Sequence, residues 1–355
     1  MANREPDVER KAPEDLRNDD GVRIKAIAML SGGLDSILAA AVVRRAGINV
    51  LGLHVRHLFT PRPAEDHDPI ALAAASAGVP LRVMDRCEEH LEVIRRPRYG
   101  VGAGANPCID CRIFVLREAA GILEAEEAQF VVTGEVLGQR PMSQHRQALD
   151  LVARRSGLGD RLFRPLSARF LPEALPIREG WIPLEALPEI HGRGRSDQLA
   201  LAEELGITYT PQPAGGCLLV EKVYAARVRD AFAHLGADQV TREEFELLRV
   251  GRQFRLSATV KLIIGRDERE NEALLGLAGE REVITARDVV GPVALLEGQA
   301  DDAAVRTACA LAARYSDHEG RSQLTMVIAR AEGRQMVDVA PMDPDDPRIA
   351  AWRIA

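Results

Sequence analysis

The sequence lacks any long apolar run, and this absence argues against a membrane-spanning helix. None of its hydrophobic stretches approaches the roughly 20 residues that a transmembrane helix needs. Residues 1–21 are rich in charge and poor in apolar side chains, which is not the composition of a signal peptide or a membrane anchor. We therefore expect residues 1–22 to form a disordered tail and the protein to be cytoplasmic, without a membrane partner.

An excess of positive charge is also absent. The chain has 46 Lys and Arg against 53 Asp and Glu, which gives a formal net charge of -7. This balance argues against binding nucleic acid through the whole surface, although it leaves room for a local basic patch. Part of the acidic charge lies near the two ends of the chain, whereas arginines cluster between them.

The cysteines do not form a disulfide framework. There are five of them, and an odd count in a cytosolic-looking sequence argues against paired bridges. Cys87 stands alone and Cys309 lies among alanines, so we interpret both as packed thiols. Cys108, Cys111 and Cys217 form a close pair with a distant third, and this spacing indicates a function.

The order of the apolar segments predicts the fold class. With 355 residues, of which 46% are hydrophobic, the chain is long enough for two domains. Strand-like and helical runs alternate over residues 24–85, which predicts an α/β fold with a doubly wound parallel sheet. In such a sheet the ligand lies at the carboxyl ends of the strands. We assign this domain to residues 23–220.

A different pattern begins near residue 221. Short helices and short strands follow one another, which predicts a second, smaller α+β domain over residues 221–342. We expect residues 343–355 to be a C-terminal tail. No internal repeat stands out.

A glycine-rich turn joins the first predicted strand to the first helix. Its residues are Ser31-Gly32-Gly33-Leu34-Asp35-Ser36. Glycines let the backbone approach an anion, and the amides at a helix start attract negative charge. No Lys follows the glycines, so the turn is not a GxxxxGK[ST] loop. The alternative is an ordinary glycine-rich turn of an α/β fold.

This turn resembles the SGGxDS signature of the PP-loop ATP pyrophosphatase superfamily, whose members cleave ATP between its α and β phosphates. The resemblance implies ATP and Mg²⁺ as ligands. It places Ser31, Gly32, Gly33, Asp35 and Ser36 at the nucleotide, with Asp35 also counted as catalytic.

Three further residues follow predicted strands and are candidates for contact with the nucleotide. His54 ends the second strand, where the family helps to hold the adenosine, although a packed histidine is the alternative. Gly134 and Arg140 lie in a Gly-Glu-Val-Leu-Gly-Gln-Arg stretch that resembles the family's nucleotide segment. Arg140 is suited to a bidentate phosphate contact, or it is an ordinary surface arginine.

The cysteine pair opens a predicted helix in the segment Asn-Pro-Cys-Ile-Asp-Cys-Arg, residues 106–112. Residues three apart share one helix face, and a helix N-terminus favours thiolate. Alone, the pair is compatible with redox chemistry, metal binding or chance. The segment resembles the Asn-Pro-x-x-x-Cys segment of tRNA 2-thiouridine synthases, which implies a part in sulfur transfer.

Cys217 follows two glycines and resembles the distant third cysteine of the thiolating families. Two arrangements stay open. In a relay, Cys108 and Cys217 are catalytic, one carrying a persulfide and the other resolving it. In a cluster, Cys108, Cys111 and Cys217 ligate a 4Fe-4S centre, which is the arrangement that we favour. A packed thiol at Cys217 is the remaining alternative.

Two kinds of basic segment indicate contact with RNA. The loop 95–100 combines three arginines with Tyr99, and the loop 191–196 combines two arginines with two glycines. In the second domain, the residues GRQFRLS and VKLIIGRDERENEAL resemble the NFACT-R type of RNA-binding domain. That resemblance implies phosphate contacts, with a regulatory or dimerisation domain as the alternative. The contacts would be Arg252, Arg255, Lys261 and Arg266.

Together, the resemblances imply an ATP-dependent tRNA sulfurtransferase, similar to the 4-thiouridine synthetases and sharing features with the 2-thiouridine synthases. The expected partners are tRNA and a sulfur donor, and an oligomer is not excluded. The segment before the glycine turn is shorter than the N-terminal RNA-binding domains of 4-thiouridine synthetases, so the C-terminal domain would replace them. The alternatives are a PP-loop enzyme that amidates or ligates a small molecule, with zinc at the cysteines, and an RNA-binding module without activity.

Overall fold

The computed structural model describes residues 16–17, 21, 23–59, 68–208, 217–318, 320–331 and 333–354. The chain divides into two compact units. Unit 1 comprises residues 1–102 and 107–215, and unit 2 comprises residues 103–106 and 216–355. Most of the predicted tail 1–22, and the segment 209–216 before Cys217, lie outside the described residues.

Unit 1 is an α/β unit built on a five-stranded parallel sheet, as predicted. The strand order is β3-β2-β1-β4-β5, so the chain moves outward from β1 in both directions. Its elements are β1 (Lys25–Met29), α1 (Leu34–Arg45), β2 (Asn49–Arg56), α2 (Pro69–Ala77), β3 (Leu81–Asp85), α3 (Leu91–Arg95), α4 (Cys108–Gly121), β4 (Phe130–Val132), α5 (Arg146–Ser156), β5 (Leu162–Phe163), α6 (Leu175–Arg178) and α7 (Ser196–Glu204).

Both faces of this sheet are covered because side chains alternate along its strands. In β1, Ala26 and Ala28 belong to one hydrophobic core, which α1 and α7 complete. Ile27 and Met29 belong to a second core on the other face, completed by α4. The middle of β1 is therefore apolar on both faces, because each face packs against a core.

Unit 2 is built on a six-stranded antiparallel sheet with the order β11-β10-β8-β9-β7-β6. The apolar face of α11 packs on this sheet through Ala308, Leu311 and Ala312. Its elements are α8 (Lys222–Leu235), α9 (Arg242–Leu247), β6 (Arg252–Arg255), β7 (Lys261–Ile264), α10 (Glu268–Gly276), β8 (Glu282–Ala286), β9 (Ala294–Glu297), α11 (Asp302–Arg314), β10 (Leu324–Arg330), β11 (Gly333–Val339) and α12 (Pro347–Trp352).

The segment expected to be a C-terminal tail contains a helix. Asp346 caps α12 by accepting a hydrogen bond from Arg348 N. Ile349 is buried in the core of unit 2, and Ile354 N donates to Gln253 O. These contacts tie the end of the described chain to β6, a strand that the sequence patterns did not reveal.

Within the part of the chain that the structure describes, no helix is both long enough and apolar enough to cross a membrane.

Candidate nucleotide and sulfur-transfer site

The glycine turn is a closed loop at the carboxyl end of β1. Gly32 has φ +77°, a left-handed conformation that favours glycine, and Gly33 is the N-cap of α1. Ser36 Oγ donates to Gly33 O at 2.7 Å, and Ser31 N lies 3.3 Å from Ser36 Oγ. The loop therefore holds its shape through its own serine and presents the start of α1, where backbone amides attract anions.

Asp35 lies in the first turn of α1. Its Oδ2 accepts a hydrogen bond from Gln139 Nε2 at 3.0 Å, whereas Oδ1 is buried and has no hydrogen-bond partner among the described residues. Burial raises the pKa of this carboxyl, although Gln139 and the charges of Arg195 and Arg140 act in the opposite direction. A buried carboxylate oxygen without a partner suits a hard cation such as Mg²⁺.

Gly134, which follows β4, packs directly on the start of α1. A Cβ at this position would lie 2.4 Å from the carbonyl carbon of Asp35 and 2.5 Å from Ser36 N. Any side chain would displace the helix start. The structure therefore brings Gly134 to the glycine turn and gives a steric reason for the glycine, and its predicted contact with the nucleotide stays a prediction.

The basic segment 191–195 reaches the same place. Gly192 N donates to Leu137 O at 2.7 Å, which ties the segment to the loop after β4. The charge of Arg195 acts on Asp35, and the side chain of Gln198, which is fully buried in α7, also interacts with Asp35. Sequence reasoning missed Gln198. Nothing in the sequence of a helix shows that one of its glutamines contacts Asp35, a residue far away in the chain.

His54 supports the turn from the neighbouring strand. Its Nδ1 lies 2.8 Å from Leu30 O, and since a carbonyl only accepts, Nδ1 carries the proton. Burial lowers the pKa of this ring. Its Nε2 is then a buried acceptor without a partner among the described residues. His54 thus holds the carbonyl of Leu30, the residue before Ser31, through a hydrogen bond, and is not only a packed side chain.

Glu135 anchors a buried network behind the cysteine helix. Its carboxylate lies 2.8 Å from Arg164 Nε and 3.2 Å from Arg112 Nε. Burial raises the pKa of Glu135, but the charges of Arg164 and Arg112 outweigh that effect, so the pKa is lowered overall. Arg112 follows Cys111 directly, so this ion pair holds the first turn of α4 in place.

The cysteine pair occupies the first turn of α4, as predicted. Cys108 is the first residue of the helix, and both cysteines are half-buried. Between them, the carboxylate of Asp110 accepts hydrogen bonds from the backbone amides of Arg98 and Tyr99, at 3.1 and 2.9 Å. The basic loop is therefore attached to the cysteine turn.

A buried histidine also reaches this turn. Nε2 of His90 lies 3.3 Å from Cys111 Sγ, and the ring is 1% exposed. Burial lowers the pKa of His90 to about 3 and that of His57, which stacks on it, to about 4. Sequence reasoning did not single out His90, because 20 residues separate it from the cysteine that it contacts.

Cys217 lies in unit 2, where it precedes the short helical turn Leu218–Val220. Residues 103–106, which lead into the cysteine pair, belong to the same unit, and Ala105 N donates to Leu219 O at 2.8 Å. Across the described ranges, no group of three or more His, Cys, Asp or Glu side chains is arranged to hold a metal ion. The 4Fe-4S site predicted at Cys108, Cys111 and Cys217 stays a prediction.

One of the four predicted phosphate contacts of unit 2, Lys261, is wrong, and the three arginine contacts stay predictions. Lys261 is 1% exposed and cannot meet an RNA phosphate at the surface. Arg255 forms a two-bond ion pair with Asp230, and Arg266 pairs with Glu270. Arg252 lies over the ring of Tyr315, 4.5 Å from its centroid. Whether a basic side chain is buried or paired with an acid depends on the folded sheet. The number of basic residues in the sequence does not reveal it.

Unit 1 is thus a parallel α/β sheet with a glycine turn at the carboxyl end of β1, an arrangement consistent with a PP-loop fold. Residues 21–168 match the family model described as thiamine biosynthesis protein (ThiI), and residues 251–353 match the NFACT protein RNA binding domain. The matched residues include those on which the two sequence resemblances were based, so both resemblances are confirmed.

Relatives include tRNA-modifying enzymes. A tRNA-specific 2-thiouridylase MnmA of Tropheryma whipplei is 36% identical over 100 residues, which are 25% of this chain and 27% of that protein. A probable tRNA sulfurtransferase of Methanothermobacter thermautotrophicus is 31% identical over 208 residues, 56% of this chain and 45% of that protein. The chain thus spans between about a quarter and a half of the curated relatives that it matches.

Among solved structures, a 4-thiouridine synthetase in complex with RNA and bound ATP matches with a TM-score of 0.32 at 20% identity. The match covers 52% of this chain and 51% of that one.

Proposed function

We propose that this protein is an ATP-dependent tRNA sulfurtransferase that replaces a uridine carbonyl oxygen with sulfur. One observation carries the proposal: the glycine turn and the cysteine pair lie at the same edge of one parallel sheet. The turn follows β1, and α4 begins on the connection from β3 to β4, so both lie at the carboxyl edge of the parallel strands. An ATP site and two thiols at one edge suit activation followed by sulfur transfer.

The reaction has two balanced steps. The carbonyl oxygen of the uridine attacks the α-phosphorus of ATP, the bond to the β-phosphate oxygen breaks, and pyrophosphate leaves. A sulfur nucleophile then attacks the adenylated carbon, the carbon–oxygen bond breaks, and AMP leaves. Adenylation is needed because an oxide ion is a poor leaving group.

The residues of the glycine turn and its neighbours have distinct roles in the first step, the adenylation of the uridine. The amides at the start of α1 and the guanidinium groups of Arg195 and Arg140 stabilise the charge on the departing pyrophosphate. Asp35 would hold Mg²⁺ through the buried Oδ1, and the ion would neutralise phosphate charge when bound. His54 keeps the strand-to-turn junction in register.

The sulfur step uses the cysteines. As a relay, the terminal sulfur of a Cys108 persulfide attacks the uridine carbon, and the Cys217 thiolate then attacks the Cys108 sulfur. A disulfide forms, which an external thiol must reduce before the next turnover. As a cluster site, Cys108, Cys111 and Cys217 would hold a 4Fe-4S centre that carries the sulfur.

Chain connectivity supports cooperation among the three cysteines. The segment that runs into Cys108 pairs with the segment that follows Cys217, through Ala105 and Leu219.

Transfer RNA is the proposed partner of both units. Unit 2 matches an RNA-binding family model, and in unit 1 Asp110 holds the backbone of the loop that carries Arg98 beside the cysteine turn. The Arg98 side chain is exposed and lies 5.8 Å from the ring of Tyr99, an arrangement suited to a phosphate and a stacked base.

The deciding experiment compares tRNA nucleosides from a wild-type strain and a strain that lacks this gene by mass spectrometry. We expect one thiouridine to disappear and to return when the purified protein, ATP, Mg²⁺ and a sulfur donor are added to the unmodified tRNA. The donor is sulfide for the cluster route and a persulfide carrier for the relay. If every thionucleoside persists, the proposal fails. A small-molecule ligase with zinc at the cysteines would instead consume ATP without tRNA.

Iron analysis separates the two sulfur routes. Protein purified without oxygen should be brown and hold about four irons per chain if the cluster forms. Colourless, iron-free protein that still thiolates tRNA would establish the relay. Replacement of Cys111 by Ala abolishes activity in the cluster route and is tolerated in the Cys108–Cys217 relay.

A further inference from the structure

Strand β11 is an edge of the six-stranded sheet in unit 2 and is seven residues long. Among the described residues, no strand is hydrogen-bonded to it on the side away from β10. An open strand edge is a template for a further strand, because its backbone groups can extend the ladder.

Alternate residues of β11 direct their backbone groups outward. Arg287 N donates to Thr325 O at 3.0 Å, so Thr325 in β10 turns its carbonyl toward the end of β8. Thr325 lies opposite Asp338, and in an antiparallel ladder such a pair faces away from each other. The backbone of Asp338 therefore faces away from β10, and the period of two turns the backbones of Met336 and Arg334 the same way.

The same three residues expose their side chains on one face of the sheet. Val337 and Val339 are buried in the core that α11 completes, so the residues that alternate with them point to the opposite face. Met336 is 59% exposed, and Arg334 and Asp338 are exposed as well. Outward backbone groups and exposed side chains thus coincide in three residues.

The charges on this edge are arranged symmetrically about Met336. Arg334 lies two residues before it, and Asp338 lies two residues after it. If two copies of β11 pair antiparallel with the Met336 residues opposite each other, each Arg334 opposes an Asp338. All three pairs then join residues whose backbone groups face outward, so a hydrogen-bonded ladder forms. Asp338 is already oriented, because its Oδ1 accepts from Thr325 Oγ1 at 2.6 Å.

Other registers of the two strands match less well. Pairing centred on Arg334 or on Asp338 places like charges opposite each other, which destabilises a strand pair. Pairing centred on Gln335 or on Val337 places the apolar side chain of Met336 opposite a charge. Only the register centred on Met336 places both charges of each copy opposite their complements.

We propose that β11 is a self-complementary docking edge through which two copies of this chain form a two-fold symmetric dimer. The partner is a second copy, and the two six-stranded sheets join edge to edge. Such a contact needs one surface that matches itself, which the Arg334, Met336 and Asp338 pattern provides. A contact centred on three residues from each copy is small, so the dimer is weak and depends on concentration. The inference does not rest on the tRNA reaction.

The test is sedimentation velocity of the full-length chain, freed of RNA by nuclease, from about 1 to 200 μM. We expect monomer at the lowest concentration and dimer at the highest. Arg334→Asp places two acids opposite each other at both symmetric positions, so it should weaken dimerisation about tenfold or more. Adding Asp338→Arg to Arg334→Asp restores opposite charges across the two-fold axis and should restore the dimer.

Arg269→Asp is the matched control, since it makes the same change of charge at an exposed position of α10. A chain that stays monomeric throughout would overturn the proposal. So would an Arg334→Asp variant that dimerises like the wild type, or a folded double variant that does not recover the dimer.

Hydrogen exchange tests the same edge in the wild-type chain, in case a variant does not fold. The amides of Arg334, Met336 and Asp338 face outward, so their exchange should slow as the protein concentration rises. The amides of Val337 and Val339 bond to β10, so their exchange should be slow at every concentration. Exchange of the outward amides that does not change with concentration would exclude pairing at this edge.

Discussion

The two units use their polar groups in opposite ways at the positions where ligands were predicted. In unit 1, among the residues that the structure describes, one buried carboxylate oxygen of Asp35 and one buried ring nitrogen of His54 have no hydrogen-bond partner. In unit 2, Arg255 and Arg266 are joined to acids. A buried polar atom without a hydrogen bond destabilises the folded state. Such atoms beside the glycine turn therefore indicate a ligand better than arginines that are already paired with acids.

Substitution of Asp35 is the strongest test of this comparison between the two units. Asp35→Asn removes the charge that would hold Mg²⁺ while leaving an oxygen for Gln139, so we expect turnover to fall by about 10²–10³. The measurement is thiouridine formation under saturating ATP. RNA affinity should not change, which is the control. Activity close to wild type would remove Asp35 from the catalytic residues.

Gly134 tests whether the close approach of β4 to the turn matters. Gly134→Ala forces a Cβ to within 2.4 Å of the Asp35 backbone, and the resulting displacement should weaken ATP binding about tenfold or more. Gly121→Ala is the matched control, since a Cβ there meets nothing within 4 Å. Equal ATP affinities for both variants by calorimetry would contradict the steric argument.

Lys261 tests the unit 2 side of the comparison. Burial lowers the pKa of this lysine to about 8 from 10.5, so the unfolded chain binds more protons between those values. The free energy of unfolding of unit 2 should therefore rise as the pH rises from about 8 to 10.5. Lys261→Met should remove that rise and leave RNA affinity unchanged, because the side chain is buried. A loss of RNA affinity in a folded variant would reinstate Lys261 as a phosphate contact.

Arg98 should give the smallest effect. Arg98→Ala removes one exposed cation from the loop that Asp110 holds, so tRNA affinity should fall by a few fold. The slope of log affinity against log salt should decrease by about 0.7–0.9, as for one phosphate contact. Arg155→Ala, an exposed arginine on α5, is the control. The same slope in both variants would exclude the loop from the RNA surface.

Local pattern was enough to predict most elements of the fold. Glycines at the strand-to-helix turn, apolar runs and helix starts depend on neighbours along the chain, so β1, α1 and α4 agree with prediction to within a few residues. Strand β6 was missed because its four residues, Arg-Gln-Phe-Arg, contain no apolar run. Its place in the sheet depends on pairing with β7.

The sequence by itself determined the chemistry that is present: a glycine turn for phosphate, three cysteines in a two-plus-one spacing, and arginine-rich loops. Tertiary structure decided which groups meet. It brought Gln198 to Asp35 and His90 to Cys111, and it buried Lys261. The reason is physical: composition and spacing record what a side chain can do, whereas burial and partners depend on segments far apart in the chain.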